Sequence, residues 1–292
     1  MCNRLRTDLG WELIARDCSL QSWPQQSGIC YSAFGMKLLH PGDYVKRSLL
    51  AVQEYSLLSA RALANLFAKP LYLADAIQQA DLIGVGSLPI VVLTGTFTGM
   101  VLALNYSPTL ERFGSLSLTG QLVSLSMVRE LGPVLTSLMV AGRNASGMAS
   151  ELGSMRVTEQ IDAMRALGTD PMKKLVTPRV IATIVMLFFL TIISDFVGLF
   201  GGYIISLFKL KLNSYQYWNT AYQSLVFNDV ITGLVKPLFF GFIIATIGCY
   251  YGINTKGGTQ GVGRSTTQAV VAASVLILAI DVVLTQFLLE LR

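Results

Sequence analysis

Residues Val180 to Phe208 read VIATIVMLFFLTIISDFVGLFGGYIISLF, an apolar stretch in which Asp195 is the one charged residue. A helix needs about 20 predominantly apolar residues to cross a hydrocarbon core of about 30 Å. We therefore interpret this stretch as a transmembrane helix. Four other stretches have the same character: Leu82 to Leu104, Leu118 to Ser150, Asp229 to Gly252 and Gln268 to Leu289. The sequence thus predicts an all-α membrane protein with about five transmembrane helices.

The composition supports a membrane protein rather than a soluble enzyme. Of the 292 residues, 52% are hydrophobic and 13% are charged, whereas soluble domains carry about 25% charged residues. The net charge of +5 is explained by basic cytoplasmic loops, so we predict no nucleic-acid partner. His40 is the single histidine, and three of the four cysteines lie in the first 30 residues. We therefore expect no metal site, no other cofactor and no histidine-based catalysis.

The region before the first span divides into two parts. Residues 1–35 show no helical period and no signal-peptide core, and we interpret them as a disordered tail or a misassigned start. We therefore expect a chain that begins at Met36 to insert and assemble normally. Residues 36–80 have apolar side chains on one helical face opposite basic ones, which predicts an amphipathic helix in the membrane interface. The alternative is a solvent-exposed helix packed on another protein. Residues 81–292 form the predicted transmembrane domain.

The loop charges predict the orientation. The positive-inside rule places the more basic loops in the cytoplasm. The loops between spans two and three and between spans four and five carry Arg156, Arg165, Lys173, Lys174, Arg179, Lys256 and Arg264. The opposite side carries Arg112, Lys209, Lys211 and Arg292. We therefore predict a cytoplasmic N-terminus and a C-terminus on the other side, the periplasm in a bacterium.

The segment ELGSMRVTEQIDAMRALGTDP, Glu151 to Pro171, is too polar to span a membrane. We predict a short cytoplasmic helix that Thr158 caps and that ends at Gly168 and Pro171. Its apolar stripe is Val157, Ile161, Met164 and Leu167. A cytoplasmic partner could hold such a helix, and we expect Ile161 and Met164 to enter a groove on that partner. The alternative is a loop helix that rests on the membrane surface.

Several features of the spans point to packing and to function. Gly95 and Gly99 have the spacing that lets two helices approach closely. Ionisable groups at membrane depth are costly, so they mark a function, an interhelical tie or an interface anchor. These groups are Arg129, Glu130, Arg143, Glu151, Asp195, Lys236 and Asp281. We expect Lys236 and Asp281 to pair across two spans. Arg129, Glu130 and Arg143 are expected to pair with one another or to contact a lipid headgroup.

One motif resembles a nucleotide site. Gly258, Gly263, Arg264 and Ser265 approach the phosphate-loop pattern, with arginine at the position of the required lysine. A phosphate loop follows a strand in an α/β domain, and the sequence predicts no such domain. We therefore interpret these glycines as a tight turn before the fifth span. If the protein's function requires ATP hydrolysis, we expect a separate chain to carry it out.

Two long segments resemble the MlaE family of permeases. The first, RELGPVLTSLMVAGRNASGMASELGSMRVTEQIDAMRALGTDPMKKLVTPRVIA, resembles the central signature of the family. The second, GGTQGVGRSTTQAVV followed by DVVLTQFL, resembles its last cytoplasmic loop and final span. The resemblance implies a homodimeric ABC transporter permease in the inner membrane that traffics phospholipids between the inner and outer membranes. It also implies a cytoplasmic ATPase, an MCE-domain substrate-binding protein and a small STAS-domain protein as partners.

The resemblance and the buried charges together give two sets of candidate residues. The lipid-binding candidates are Arg129, Glu130, Arg143, Lys236 and Asp281. By the resemblance, the coupling helix that docks on the ATPase contains Glu159, Gln160, Ile161, Asp162, Met164 and Arg165. Two other functions remain open: an intramembrane enzyme that uses Asp195 and Asp281 as an aspartyl pair, and an ion-coupled carrier that uses its buried carboxylates.

Overall fold

The structure, a computed structural model, describes residues 41–66 and 72–290. The predicted tail, residues 1–35, lies outside these residues. The chain divides into two units, Met1–Leu49 and Leu50–Arg292. Of the first unit, only the beginning of one helix is described. The described residues are helical and contain no strand, so the predicted all-α fold is confirmed.

Ten α-helices follow one another along the described chain. They are α1 (Pro41–Leu66), α2 (Leu73–Arg112), α3 (Thr119–Ser126), α4 (Gly132–Val140), α5 (Ser146–Val157), α6 (Gln160–Ala166), α7 (Thr177–Phe208), α8 (Ser214–Ser224), α9 (Phe227–Ile253) and α10 (Gly258–Glu290). Short segments of other helix types lie between some of them: a 3-10 helix at Leu116–Leu118 and π-helices at Met127–Leu131, Ala141–Ala145 and Met172–Val176.

Five stretches are long and apolar enough to cross a membrane, which confirms the predicted number of spans. They are Leu73–Arg112, Leu116–Val157, Met172–Phe208, Phe227–Ile253 and Gly258–Leu288. At about 1.5 Å per residue, the 40 residues of α2 are much longer than the hydrocarbon core is thick. This helix therefore extends beyond the predicted span, and the predicted domain boundary at residue 80 falls inside it.

Among the described residues, the most extensive helix packing is between α2 and α7. A Cβ at Gly99 would overlap the backbone carbonyl of Gly198, and a Cβ at Gly95 would lie 3.0 Å from the carbonyl oxygen of Ser194. Glycine at these positions removes the side chain that would keep the two backbones apart. The close approach predicted from the spacing of Gly95 and Gly99 is therefore confirmed.

The second span is interrupted by two π-helical turns. Pro133 has no backbone N–H and cannot donate to the carbonyl four residues earlier, that of Arg129. The preceding N–H, that of Gly132, bonds instead to the carbonyl of Met127, five residues earlier. Widened turns of this kind are frequent at functional sites, and this one contains two of the candidate lipid residues, Arg129 and Glu130.

The part of α1 that follows Leu49 packs against α9. The Tyr55 hydroxyl lies 3.0 Å from Thr246 Oγ1, and its ring meets that of Tyr250 edge-on at 5.9 Å. Ala62 is buried in the same unit. Other apolar side chains of this helix are exposed: Leu50, Val52, Leu57 and Leu63. The helix thus has one face packed against α9 and further apolar side chains that are exposed. Its location in the membrane interface remains a prediction.

Helix α8 was not predicted from the sequence. Asn213 caps it, because its side-chain oxygen accepts a hydrogen bond from the N–H of Tyr215 at 3.1 Å. Tyr217 packs against Tyr203 with ring centroids 5.8 Å apart and donates its hydroxyl to the carbonyl of Leu199 at 3.0 Å. Burial raises the pKa of the Tyr217 phenol, so this donor stays protonated. The helix therefore anchors the loop between the third and fourth spans.

The glycine-rich segment before the fifth span forms a turn and then a helix. Gly257 and Gly258 have φ angles of 93° and 66°, which favour glycine. Helix α10 begins at Gly258 and runs through Gly263 and Ser265. A phosphate loop would precede its helix rather than lie within it. The predicted turn is therefore confirmed at Gly258, whereas for Gly263, which lies inside α10, the prediction is wrong.

Candidate functional site

A polar cluster joins the second, fourth and fifth spans around the ammonium group of Lys236. This side chain is fully buried. Its Nζ donates to Glu130 Oε2 at 2.5 Å and to Thr285 Oγ1 at 2.8 Å. It also lies 3.0 Å from Asp281 Oδ1, so the predicted pairing of Lys236 with Asp281 is confirmed. Burial of an ammonium is tolerated here because three oxygen-bearing side chains surround it.

Arg129 contributes a second ion pair beside the first. Its Nη2 lies 2.8 Å from Asp229 Oδ1, and the two side chains are 32% and 3% exposed. The sequence-based expectation that Arg129, Glu130 and Arg143 pair with one another is wrong. Adjacent residues on a helix point in different directions, so Arg129 and Glu130 reach different partners on α9.

The two ion pairs border a cavity of about 310 Å³. The Glu130 side chain is 42% exposed even though its Oε2 contacts the buried Lys236. The cavity is lined by Leu125, Ser126, Arg129, Glu130, Asp229, Thr232, Thr285 and Leu288. Charged and apolar groups therefore share one wall, as the binding of an amphipathic molecule requires.

The formal charges of this cluster are mixed. Two cations, Arg129 and Lys236, face three carboxylates, those of Glu130, Asp229 and Asp281. A site for a simple anion would carry an excess of positive charge, and this cluster does not. Its arrangement suits a ligand that carries both signs of charge.

Two candidate residues lie outside this cluster. Arg143 Nη1 donates to Ser87 Oγ at 3.1 Å, and its guanidinium lies against Gly86 of α2. Asp195 is buried and packs against Gly132, and its Oδ1 has no hydrogen-bond partner among the described residues. Asp281 pairs with Lys236, and no hydrogen bond within the described chain joins it to Asp195. A catalytic aspartyl pair needs two carboxyl groups in contact, so this geometry does not favour that alternative.

Sequence reasoning missed three members of polar pairs. Asp229 was treated only as the first residue of a span, and Thr285 was not considered. Arg179 was counted among the loop charges, but it is buried and pairs with Glu151 at 2.7 Å. A signal was available for Asp229, because an acidic residue in the first turn of a span is a potential partner for a buried arginine.

The predicted coupling helix is present as α6, with a different start. Thr158 does not cap it, because its hydroxyl donates back to the carbonyl of Ser154 at 3.0 Å and so ends α5. Glu159, in the left-handed conformation with φ 59°, separates the two helices. The predicted end is confirmed: Gly168 has φ 76°, and the Thr169 N–H bonds to the carbonyl of Met164 at 3.0 Å.

The side chains of α6 point differently from the prediction. Ile161 is fully buried in this chain's own core, and Met164 packs against the same cluster. The expectation that Ile161 enters a partner's groove is therefore wrong, and Met164 is half-buried against this chain's own core. Leu167 is instead 83% exposed. The polar candidates are also exposed: Glu159, Gln160, Asp162 and Arg165. Of these, Asp162 pairs within the chain, with Arg156 at 2.6 Å and with Arg165 at 3.3 Å.

The chain is similar to several known proteins, some of which are named as permeases. A probable ABC transporter permease of Rickettsia prowazekii is 44% identical over 252 residues, which is 86% of this chain and 97% of the relative. The chloroplastic protein trigalactosyldiacylglycerol 1 of Arabidopsis thaliana is 35% identical over 86% of this chain and 70% of its own length. The intermembrane phospholipid transport system permease protein MlaE of Haemophilus influenzae is 34% identical over 72% of this chain and 80% of its own length.

The permease MlaE family matches residues 76–287, which include all of the polar cluster and α6. This match and the five spans agree with the resemblance predicted from the two sequence segments. The chain is a multi-pass membrane protein that belongs to the MlaE family of ABC transporter permeases.

Proposed function

We propose that this chain is the membrane-spanning permease subunit of an ABC transporter that traffics phospholipids between the inner and outer membranes of a bacterium. The observation that carries the proposal is the cavity bordered by Arg129 and Glu130. The name of the Haemophilus relative, an intermembrane phospholipid transport system permease, supports the choice of substrate.

The cavity suits a zwitterionic headgroup. Arg129 offers guanidinium donors to a phosphate, and Glu130 offers a carboxylate to an amine. Both side chains are about one third or more exposed, although each is held by a buried partner on α9. Leu125 and Leu288 line the same cavity and provide apolar contacts for the beginning of the acyl chains. The partners on α9 hold both charges in place before the lipid arrives, which lowers the ordering cost of binding.

The energy for transport comes from a separate ATPase subunit. Helix α6 connects the second span to the third and presents exposed charged side chains together with Leu167. Force applied to this helix would reach both spans, because Ile161 fixes it in the core that they share. We assign Glu159, Gln160, Asp162, Arg165 and Leu167 to the docking surface, and Ile161 and Met164 to its attachment.

The remaining partners and the orientation follow from the family and the charge pattern. We propose a homodimer that works with an MCE-domain substrate-binding protein and a small STAS-domain protein. The N-terminus lies in the cytoplasm and the C-terminus in the periplasm, in accord with the basic loops on the α6 side. The exposed apolar face of α10, including Val271, Val275 and Val282, is available to a second copy or to lipid.

Reconstituted transport tests this function. The permease is incorporated into liposomes with its ATPase subunit, and the ATP-dependent transfer of fluorescent phosphatidylethanolamine is measured. Glu130→Gln and Arg129→Gln should each reduce transfer by about tenfold or more, because each removes a charge-assisted contact to the headgroup. Glu111→Gln, at an exposed carboxylate at the end of α2, is the matched control and should transfer lipid normally. Normal transfer by both cavity variants would overturn the proposed site.

Vanadate separates this function from the alternatives. An ABC transporter loses lipid transfer when vanadate traps its ATPase. An ion-coupled carrier would instead keep its activity in vanadate and lose it when an ionophore collapses the ion gradient. An intramembrane enzyme would change the lipid chemically, and mass spectrometry of the recovered lipid would reveal this.

A further inference from the structure

A second polar cavity lies between α2 and the second span, at the end of the bundle that carries α6. Its volume is about 170 Å³. It is lined by Gln79, Leu82, Ile83, Arg143, Asn144, Gly147, Met148 and Glu151. None of these residues lines the cavity at the Lys236 cluster. The two cavities are therefore separate sites.

The second cavity has an uncompensated positive charge. Arg143 forms a hydrogen bond to Ser87, and within the described residues no carboxylate forms an ion pair with it. The carboxylate that lines the cavity, that of Glu151, pairs with the buried Arg179 at 2.7 Å. This pair is neutral as a whole, so the cavity retains the charge of Arg143.

Asn144 provides an independent sign of a ligand. The residue is 6% exposed, and its Nδ2 has no hydrogen-bond partner among the described residues. A buried amide N–H₂ without an acceptor is costly, and such groups in a native structure require an explanation. An acceptor that enters this cavity would satisfy Asn144 and compensate Arg143 together.

The packing keeps Arg143 in place. A Cβ at Gly86 would overlap the guanidinium of Arg143, so the glycine provides the space in which the side chain crosses α2. Guanidinium has five donors in a fixed planar arrangement, and it binds phosphate oxygens with two of them at a time. The hydrogen bond to Ser87 uses one nitrogen, Nη1, and leaves other donors for a ligand.

We propose that this cavity binds a phosphate group through Arg143 and Asn144. Its volume lies below the range of about 300 to 1,000 Å³ that is typical of sites enclosing a whole drug-sized ligand, so it accommodates a headgroup rather than a complete lipid. The phosphate belongs either to a membrane lipid, whose chains would lie along the exposed Leu82, or to a soluble phosphate. This site is independent of the proposed transport cavity.

Binding measurements on the purified full-length chain test the proposal. The protein is delipidated in an uncharged maltoside detergent, and native mass spectrometry measures the binding of three probes: phosphatidylglycerol, diacylglycerol with the same chains, and inorganic phosphate. The wild type should bind one more phosphatidylglycerol per chain than Arg143→Gln, with an affinity difference of about tenfold at that site. Diacylglycerol, which has no phosphate, should show no such difference.

Two further variants address folding and steric access. Gly147→Leu places a side chain in open space at the cavity wall and leaves Arg143 intact. This variant should not bind the additional phosphatidylglycerol. Its helix should be retained, because leucine is a better helix former than glycine. Arg143→Lys keeps the charge without the planar fork and should bind with intermediate affinity. Arg264→Gln, at an exposed arginine on α10, should bind as the wild type does.

The outcomes identify the source of the phosphate. Competition by inorganic phosphate at millimolar concentration assigns the site to a soluble phosphate. Phosphatidylglycerol binding that inorganic phosphate leaves unchanged assigns it to a lipid headgroup. The proposal is overturned if Arg143→Gln and Gly147→Leu bind phosphatidylglycerol and phosphate as the wild type does, or if diacylglycerol binding also depends on Arg143.

Discussion

The Lys236 ammonium lies 2.5 Å from the Glu130 carboxylate, and this contact joins α9 to the π-helical turn of the second span. The lysine is fully buried, whereas the glutamate side chain is 42% exposed. Glu130 therefore has two environments: one oxygen compensates a buried cation, and the rest of the group faces the cavity. Under the proposed function, such a residue would link the stability of the spans to the binding of the lipid.

Lys236→Met should destabilise the protein strongly. Removing one partner of a buried ion pair leaves the other charge uncompensated, at a cost of about 3 to 5 kcal/mol. Here both Glu130 and Asp281 would lose their cation. We expect a lower Tm in detergent by fluorescence-detected size-exclusion chromatography.

The neighbouring carboxylate provides the control. Asp281→Asn leaves the contact between Lys236 and Glu130 in place and should lower Tm less than Lys236→Met does. The double variant should be more stable than the sum of the single effects predicts, because one of the two uncompensated carboxylates, that of Asp281, is gone. A wild-type Tm for Lys236→Met would show that the buried pair makes no net contribution.

Two Gly→Ala substitutions should have opposite effects. In Gly99→Ala, the added methyl overlaps the Gly198 carbonyl, so α2 and α7 must separate, at a cost of about 1 to 3 kcal/mol. In Gly263→Ala, the methyl meets no atom nearby, and alanine is the better helix former by about 0.5 to 1 kcal/mol. Thermal unfolding of the two variants in the same detergent checks the signs. A stabilised Gly99→Ala would contradict the close packing of these spans.

The features that could be predicted from the sequence are those that depend on local chemistry. An apolar stretch as long as Val180 to Phe208 has few stable alternatives to a transmembrane helix. The pairing of Lys236 with Asp281 was predictable because charges at membrane depth require partners and few are present. The end of α6 was predictable because the turn at Gly168 is determined by local backbone geometry.

The features that could not be predicted depend on helix rotation. Two π-helical turns in the second span change the direction of every side chain that follows them, so a regular helical period does not place Arg143 relative to Arg129. The stripe that contains Ile161 has the same pattern whether it faces the chain's own core or a partner. Helix α8 is short and its aromatic residues resemble an interface segment, so its packing is visible only in three dimensions.

Tyr217→Phe should destabilise the loop between the third and fourth spans. It removes the hydrogen bond to the Leu199 carbonyl, which contributes about 1 kcal/mol. Because burial raises the pKa of Tyr217, its contribution is fully present below the unfolded value near 10 and decreases as the pH rises towards the folded value. Tm of the wild type should therefore fall more steeply above about pH 10 than Tm of the variant.

Tyr222→Phe is the matched control, because this tyrosine is on the same helix and is 81% exposed. Its Tm should equal that of the wild type. Equal losses in the two variants would indicate that the buried hydrogen bond of Tyr217 contributes nothing specific.

The last prediction concerns coupling, and it rests on the proposed function. Reversing the charge of both Glu159 and Asp162 should weaken docking of the ATPase, but Asp162 also pairs with Arg156, so this variant mixes docking with stability. Glu159→Lys combined with Leu167→Ser avoids that pair. Burial of an exposed leucine in an interface contributes about 2 kcal/mol before association costs, so its loss together with a charge reversal should prevent stable docking.

Three measurements separate docking from folding. Tm of the Glu159→Lys, Leu167→Ser variant should stay close to the wild type, because exposed substitutions usually change stability by less than about 0.5 kcal/mol. Copurification of the ATPase and ATP-dependent lipid transfer should both be lost. Phe113→Ser, at an exposed aromatic residue after α2, is the control. It should still copurify with the ATPase and transfer lipid. If the double variant instead copurifies with a stoichiometric ATPase and transfers lipid at the wild-type rate, the ATPase drives the spans through another contact.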